Sequence, residues 1–190
     1  MLRTLIILAF DFYLLLGFVR LLCQVAGVEI NNPIFKFVNT ITEPLLKPFR
    51  RFNLSYKGFD VLLIISLLVI DLLKYIIILS LWGISIRINP LGLPLIVIAD
   101  LLGQLCNIFF YAIIVVVVMS WINPQVNNPF MNLLHKVTDL ILIPVRSRIP
   151  LVSGIDLSPL VVLIVLKVIT IVIIDPIMMH GLNLSIGFTI

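Results

Sequence analysis

The sequence predicts an all-α membrane protein whose four transmembrane helices form two tandem parallel repeats of helix, amphipathic segment, helix. Three observations predict it. Hydrophobic residues fill 62% of the 190 positions and charged residues only 12%, with a mean hydropathy of +1.26, whereas soluble domains run at roughly 45–50% apolar and about 25% charged. Four apolar stretches are each long enough to cross about 30 Å of hydrocarbon at about 1.5 Å per residue. The second half of the chain repeats the first in a constant register.

A chain of this length in water could not cover so much apolar surface, and a bilayer accepts it. The formal net charge of +4 does not argue for nucleic acid, because no nucleic-acid motif and no long basic run is present. Most basic residues gather in two segments beside apolar spans, a pattern that points to anionic lipid headgroups. Cys23 and Cys106 stand within apolar runs at places that do not correspond in the two halves. They read as small core residues rather than as a disulfide or a metal pair.

The first span covers residues 2–26. Its start, Met1-Leu2-Arg3 followed by apolar residues, resembles a signal peptide. Asp11 and Arg20 interrupt the long run, however, and no small-residue cleavage site follows, so it reads as a retained span. An amphipathic segment over residues 33–51 comes next. Ile34, Phe37, Val38, Ile41 and Leu45 recur at helical spacing opposite Lys36, Thr40, Glu43 and Lys47, which suits a helix lying at the membrane surface, with packing on other protein as the alternative. Pro44 and Pro48 are expected to kink or end it. The second span, residues 61–82, completes a first repeat over 1–90.

The second repeat covers 91–190. Its first span, 95–122, is longer than needed and holds Asp100 and Gly103 in early turns that are expected to tilt or lie along the surface. Its amphipathic segment runs over 129–148. The last span, 157–174, opens at Ser158-Pro159, a cap followed by proline at the first helical position. Asp175-Pro176 is expected to bend or stop it. Each spanning backbone must satisfy its own polar groups in lipid, so the spans are helices.

The register of the repeat is explicit. With Asn31 set against Asn127 and no gap, Asn31-Asn32-Pro33 meets Asn127-Asn128-Pro129, and Thr42-Glu43 meets Thr138-Asp139. Pro48-Phe49-Arg50 meets Pro144-Val145-Arg146, and Gly58-Phe59-Asp60 meets Gly154-Ile155-Asp156. Two spans per copy return the chain to its starting side, so both copies point the same way, as parallel repeats do. Lys36, Lys47, Arg50, Arg51 and Lys57 lie in one connecting segment and Lys136, Arg146 and Arg148 in the other, against Arg3 and Arg87 on the opposite side. The positive-inside rule therefore places both segments in the cytoplasm and both termini in the periplasm.

The second copy reads Ser120-Trp121-Ile122-Asn123-Pro124, Asn128-Pro129-Phe130, Thr138-Asp139, Pro144-Val145-Arg146 and Gly154-Ile155-Asp156-Leu157-Ser158-Pro159. The first copy keeps Thr42-Glu43-Pro44, Pro48 and Arg50. This combination resembles the YggT family of small membrane proteins, called YlmG in Gram-positive bacteria, over nearly the whole chain. The first copy departs from the family pattern with Val61-Leu62-Leu63 after Gly58-Phe59-Asp60, and with Gln24-Val25-Ala26 where Ser-Trp-Ile would stand. The resemblance implies a bacterial inner-membrane protein with two repeats and no established enzyme activity. Relatives are linked to cell division and envelope organisation, to osmotic-stress tolerance and, in chloroplasts, to nucleoid distribution and cytochrome b6 haem attachment.

Several residues are candidates for a site. Lys47, Arg50, Arg51, Arg146 and Arg148 are candidate lipid- or partner-binding cations, with pairing of Arg50 and Arg146 to the acid of the same copy as the alternative. Asp60 and Asp156, matched in the repeat, stand at helix starts, where a carboxylate caps and suits the dipole. Asp71, Lys74 and Lys167 form a candidate intramembrane charge network, and Asp11 and Arg20 are further charges inside the first span. Each such charge costs about 2.5–3.5 kcal/mol near the bilayer centre and needs a partner or water. Asp71 and Lys167 are equivalent in the repeat, which predicts that they pair across the pseudo-twofold axis, with Lys74 competing from one turn away. No metal-ligand spacing, phosphate loop or nucleophile motif occurs, so no catalytic residue, metal or cofactor is predicted. The reading is a non-enzymatic membrane scaffold that presents basic segments to lipid, to a protein partner or to a second copy. The competing readings are an oligomeric ion or osmolyte transport component that uses the buried charges, and an assembly factor for a membrane cofactor protein.

Overall fold

The computed structural model describes residues 2–47, 55–56, 59–81, 91–123, 125, 128–149 and 156–186. The fold is all-α. In chain order its elements are α1 (Leu2–Val25), α2 (Pro33–Leu46), a two-residue antiparallel ladder of β1 (Ser55–Tyr56) with β2 (Phe59–Asp60), α3 (Val61–Leu81), α4 (Leu93–Ile122), α5 (Pro129–Arg146), α6 (Ser158–Ile169), a π-helical turn (Thr170–Ile174) and α7 (Asp175–Ile186). Four helical stretches are long and apolar enough to cross a membrane: Thr4–Val25, Val61–Ser80, Leu93–Ile122 and Ser158–Ser185. Their outward faces carry Leu5, Leu8, Ile64, Ile65, Val69, Ile164, Val168, Ile171 and Val172, all exposed, as a bilayer requires.

Local chemistry sets where the short helices start. Asn32 and Asn128, matched in the repeat, cap α2 and α5, and each precedes a proline at the first helical position. The Asn32 side chain accepts from the Ile34 and Phe35 amides, and that of Asn128 from the Met131 amide. The turn from α1 into α2 passes through Gly27 at φ 62°, a left-handed conformation that a side chain would strain.

Both amphipathic helices pack on the protein's own spans. Phe35 and Val38 of α2 and Met131, Leu133, Val137 and Leu142 of α5 are buried. Phe35, Leu133 and Val137 share a core with Leu22 and Cys23 of α1 and Phe109 of α4. The stripe expected to face lipid is therefore largely used within the molecule, because the spans offer it an apolar surface; Phe37, on the same helix, stays exposed. Pro44 lies inside α2, whose helix continues past it to Leu46.

One expectation about the second copy is corrected. The last span does not end at Asp175-Pro176. Its helix runs on through a π turn in which the Asp175 amide bonds to the Thr170 carbonyl, then continues as α7. Pro176 has no N–H to give, and its ring would crowd the preceding turn; the wider π turn takes up that conflict. The first turns of α4 belong to one continuous long helix, along which α7 packs with Gly181 and Ser185 against Gly92 and Ile96; Leu93, Ile96, Val97 and Ala99 are buried there. The approach depends on small residues: a Cβ on Gly92 would collide with Ser185 and with the Gly181 carbonyl, and one on Gly181 would press on the Ile96 backbone.

α1 and α4 run parallel near the centre, with α3 against both; α6 packs instead on α4 and α5. Leu14 and Phe18 of α1 meet Leu67 and Ile70 of α3, with Leu101, Leu105 and Ile108 of α4 alongside.

Candidate functional site

Charged side chains collect at three places among the described residues, one within the spans and two at span starts. The first is a knot at the junction of α1, α3 and α4. Lys74 of α3 is 3% exposed at its side chain. Its ammonium contacts Asp71 Oδ1 at 2.6 Å and Asp11 Oδ1 at 3.1 Å, and it donates to Asp100 Oδ2. Gln104 Nε2 donates to the same Asp100 oxygen at 3.0 Å, and the Tyr75 ring centroid lies 4.9 Å from the ammonium. Asp71 is fully buried, Asp100 is half-buried, and Asp11 is the most exposed of the three acids. Helix geometry makes the knot: Asp71 and Lys74 share one face of α3 at i and i+3, and the parallel run of α1 and α4 brings one acid from each to that face.

The expected pairing of Asp71 with Lys167 is not formed. Lys167 is exposed on α6, with its ammonium 4.2 Å from the centroid of the Phe110 ring. The reason is topological: α3 packs on α1 and α4, and α6 on α4 and α5, so the central α4 separates the equivalent positions. The partner one turn away, Lys74, takes Asp71 instead.

The second and third places are arginine clamps at the start of α3 and of α6. In the first copy, Arg20 of α1, 3% exposed at its side chain, donates to Thr42 Oγ1 at 2.7 Å and to Glu43 Oε2 at 3.1 Å, and lies 3.9 Å from Asp60 Oδ2. Asp60 Oδ1 also accepts from the Leu63 amide at 3.3 Å. In the second copy, Arg146 donates to Asp156 Oδ2 at 2.7 Å and to Asp139 Oδ1 at 3.3 Å. Asp156 Oδ1 accepts from the Ser158 amide at 2.9 Å. Burial would push the Asp156 carboxyl up, but the Ser158 hydrogen bonds and the Arg146 guanidinium outweigh it and hold the group below the ordinary carboxylate value. Arg146 thus directs Nε and Nη1 to acids of its own copy, while its side chain stays 44% exposed. Lys47 and Arg148 are exposed, whereas Arg50 and Arg51 lie outside the described residues.

Beside the Lys74 knot a cleft of about 790 Å³ opens between α1, α4 and α5. Leu8, Phe12, Ile108 and Phe130 are among its apolar walls, and Asp11, Asp100, Gln104 and Asn107 give it a polar side. Among the described residues no three His, Cys, Asp or Glu side chains are grouped to hold a metal ion. Sequence reasoning marked Asp11 and Arg20 as charges in need of partners but did not join them to Lys74 and Glu43. The available signal was the parallel direction of the first and third spans, which sets Asp11 and Asp100 at similar depth.

The CCB3/YggT family model matches residues 1–81 and 95–177, one segment in each half of the chain. An uncharacterized protein of Pseudomonas aeruginosa is 31% identical over 163 residues, covering 86% of this chain and 83% of its own length. The uncharacterized protein YggT of Escherichia coli K12 is 32% identical over 162 residues, covering 84% and 81%. One from Vibrio alginolyticus is 28% identical over 161 residues, covering 83% and 85%. No solved structure matches the chain. With its four apolar helices and a family match that runs through both halves, this chain is a multi-pass membrane protein that belongs to the CCB3/YggT family.

Proposed function

We propose that the protein is a non-enzymatic scaffold of the bacterial inner membrane, which uses its amphipathic helices to gather anionic headgroups on the cytoplasmic leaflet. The observation that carries this reading is that α2 and α5 meet. Asn32 Nδ2 donates to the Pro129 carbonyl at 2.8 Å, so the two helix starts form one platform at the end of the bundle where α1 and α4 finish. The platform is held to the spans by the Arg20 contacts and by the buried apolar faces of α2 and α5. Lys36, Lys47 and Arg148 remain exposed around it, with Phe37 beside them. Cations next to exposed aromatic and aliphatic side chains suit the headgroup layer, where each is worth about 1 kcal/mol against anionic lipid. The excess of basic residues on this side supports a cytoplasmic platform with periplasmic termini.

Lipid retention tests the reading. Full-length protein in nanodiscs of phosphatidylethanolamine with phosphatidylglycerol should hold phosphatidylglycerol through detergent extraction. The Lys36→Gln, Lys47→Gln, Arg148→Gln triple variant should lose most of it while keeping its helix content. Equal retention by both proteins rejects the reading. Labelling of Lys47→Cys and Arg148→Cys from the cytoplasmic side only, with Cys23 and Cys106 replaced by Ala, is the expected topology result.

A further inference from the structure

The Lys74 knot holds more negative charge than its one cation can match. Three carboxyls, Asp11 from α1, Asp71 from α3 and Asp100 from α4, surround a single ammonium. The other polar neighbours among the described residues, Gln104 from α4 and Tyr75 from α3, carry no positive charge. All of these lie in helices that read as membrane spans. An excess of two negative charges in hydrocarbon is costly, and a bound proton lowers it.

A second observation concerns one atom. Asp71 is 0% exposed, and its Oδ2 has no hydrogen-bond donor among the described residues. Asp71 Oδ1 and Asp100 Oδ2 both meet the same Lys74 ammonium, so two like charges crowd one cation, and a proton on one of the carboxyls relieves that crowding. The third observation is access. Asp100 and Asp11 line the cleft between α1, α4 and α5, so the buried Asp71 is one carboxyl away from an opening on the surface of the bundle.

We propose that Asp71 and Asp100, held against Lys74, form an intramembrane proton-binding site that exchanges through the α1–α4 cleft by way of Asp11. In the loaded state one of the two carboxyls carries the proton, so two carboxylates face the Lys74 ammonium. In the unloaded state the proton has left to the cleft by way of Asp11, the most exposed acid, and three carboxylates face that ammonium, a costlier charge excess reached only at alkaline pH. The site uses the spans alone and is independent of the lipid platform. Its copy in the second repeat is missing: the positions matching Asp11, Asp71 and Lys74 are Asn107, Lys167 and Thr170.

Infrared spectroscopy of the full-length protein in liposomes tests this, because a protonated carboxyl has a carbonyl stretch that a carboxylate lacks. The wild type should show that band at neutral pH, lose it on alkaline titration, and shift it on transfer to D2O without unfolding. Asp71→Asn and Asp100→Asn should each abolish the band, and Asp156→Asn, outside the spans, should leave it. Lys74→Met should strengthen it, since fewer charges remain to hold carboxylates ionised. Absence of the band in the neutral wild type overturns the proposal. So does a band that both Asp variants retain, or one that D2O does not shift, which would mark a sealed structural proton. Should an Asp variant fail to fold, the titration and exchange of the wild type still decide.

Discussion

The two repeats each place one acid on the amphipathic helix and one at the start of the following span, at matching positions, and hold them with different arginines. In the first copy Glu43 and Asp60 face Arg20, which comes from the last turns of the first membrane span. In the second copy Asp139 and Asp156 face Arg146, which comes from the end of the amphipathic helix. The position equivalent to Arg20 is Val116, buried in apolar surroundings, and the Thr138 hydroxyl donates to the Leu134 and His135 carbonyls as Thr42 does to those of Val38 and Asn39. The same clamp is thus built dry in one half and wet in the other: the Arg20 side chain is 3% exposed and that of Arg146 44%. The difference teaches that duplication conserves what a helix end needs, a carboxylate and a cation, while each copy chooses where the cation is rooted.

The comparison predicts unequal costs. Arg20→Met should destabilise most, by about 3 kcal/mol in denaturant unfolding followed by circular dichroism in micelles. It strands partly exposed acids around a dry cation site, so the low end of the range for a broken buried pair applies. A cost below that of the second-copy arginine would break the dry-versus-wet distinction. Gly92→Ala should follow at about 2 kcal/mol, because a methyl group there meets α7 backbone that cannot rotate away. This variant isolates the α4–α7 contact of the second copy. Arg146→Met should cost about 1 kcal/mol or less, as expected for a half-exposed pair.

The Arg146 clamp can be sharpened by pH. Because the folded Asp156 carboxyl lies below its ordinary value, the unfolded chain binds its proton first as pH falls. The clamp's contribution is therefore whole above the ordinary carboxylate value of about 3.9 and is lost as pH drops through the lower folded value. Asp156→Asn should remove that acid-side slope and leave the stability at pH 7 lower by a few tenths of a kcal/mol. Lys167→Met should have the smallest effect, under about 1 kcal/mol, since an exposed cation over a ring contributes little. A larger loss would mean that Lys167 has a partner beyond Phe110.

Sequence and structure agree where local physics decides. Length and apolarity specify the spans, because hydrocarbon admits only helices with internal hydrogen bonds. Asn32-Pro33 and Asn128-Pro129 specify the starts of α2 and α5, because cap and proline act within one turn. The pairing of Lys74 with Asp71 was also legible, as a neighbour on one helix face. Asp11 and Asp100 were visible as charges without addresses: their shared partner depends on which spans touch.

By itself the amino-acid order determined four helices of membrane length, two capped amphipathic connectors and a doubled plan, all set by interactions within a few residues or with the solvent. Only the tertiary structure decided that α4 stands at the centre, parting Asp71 from Lys167, that α7 continues beyond Pro176 to cover the start of α4, and that three acids close on one lysine. Those outcomes depend on how helices stack, and stacking is chosen by the whole set of side-chain shapes and small-residue contacts such as Gly92 against Ser185, which no local pattern records.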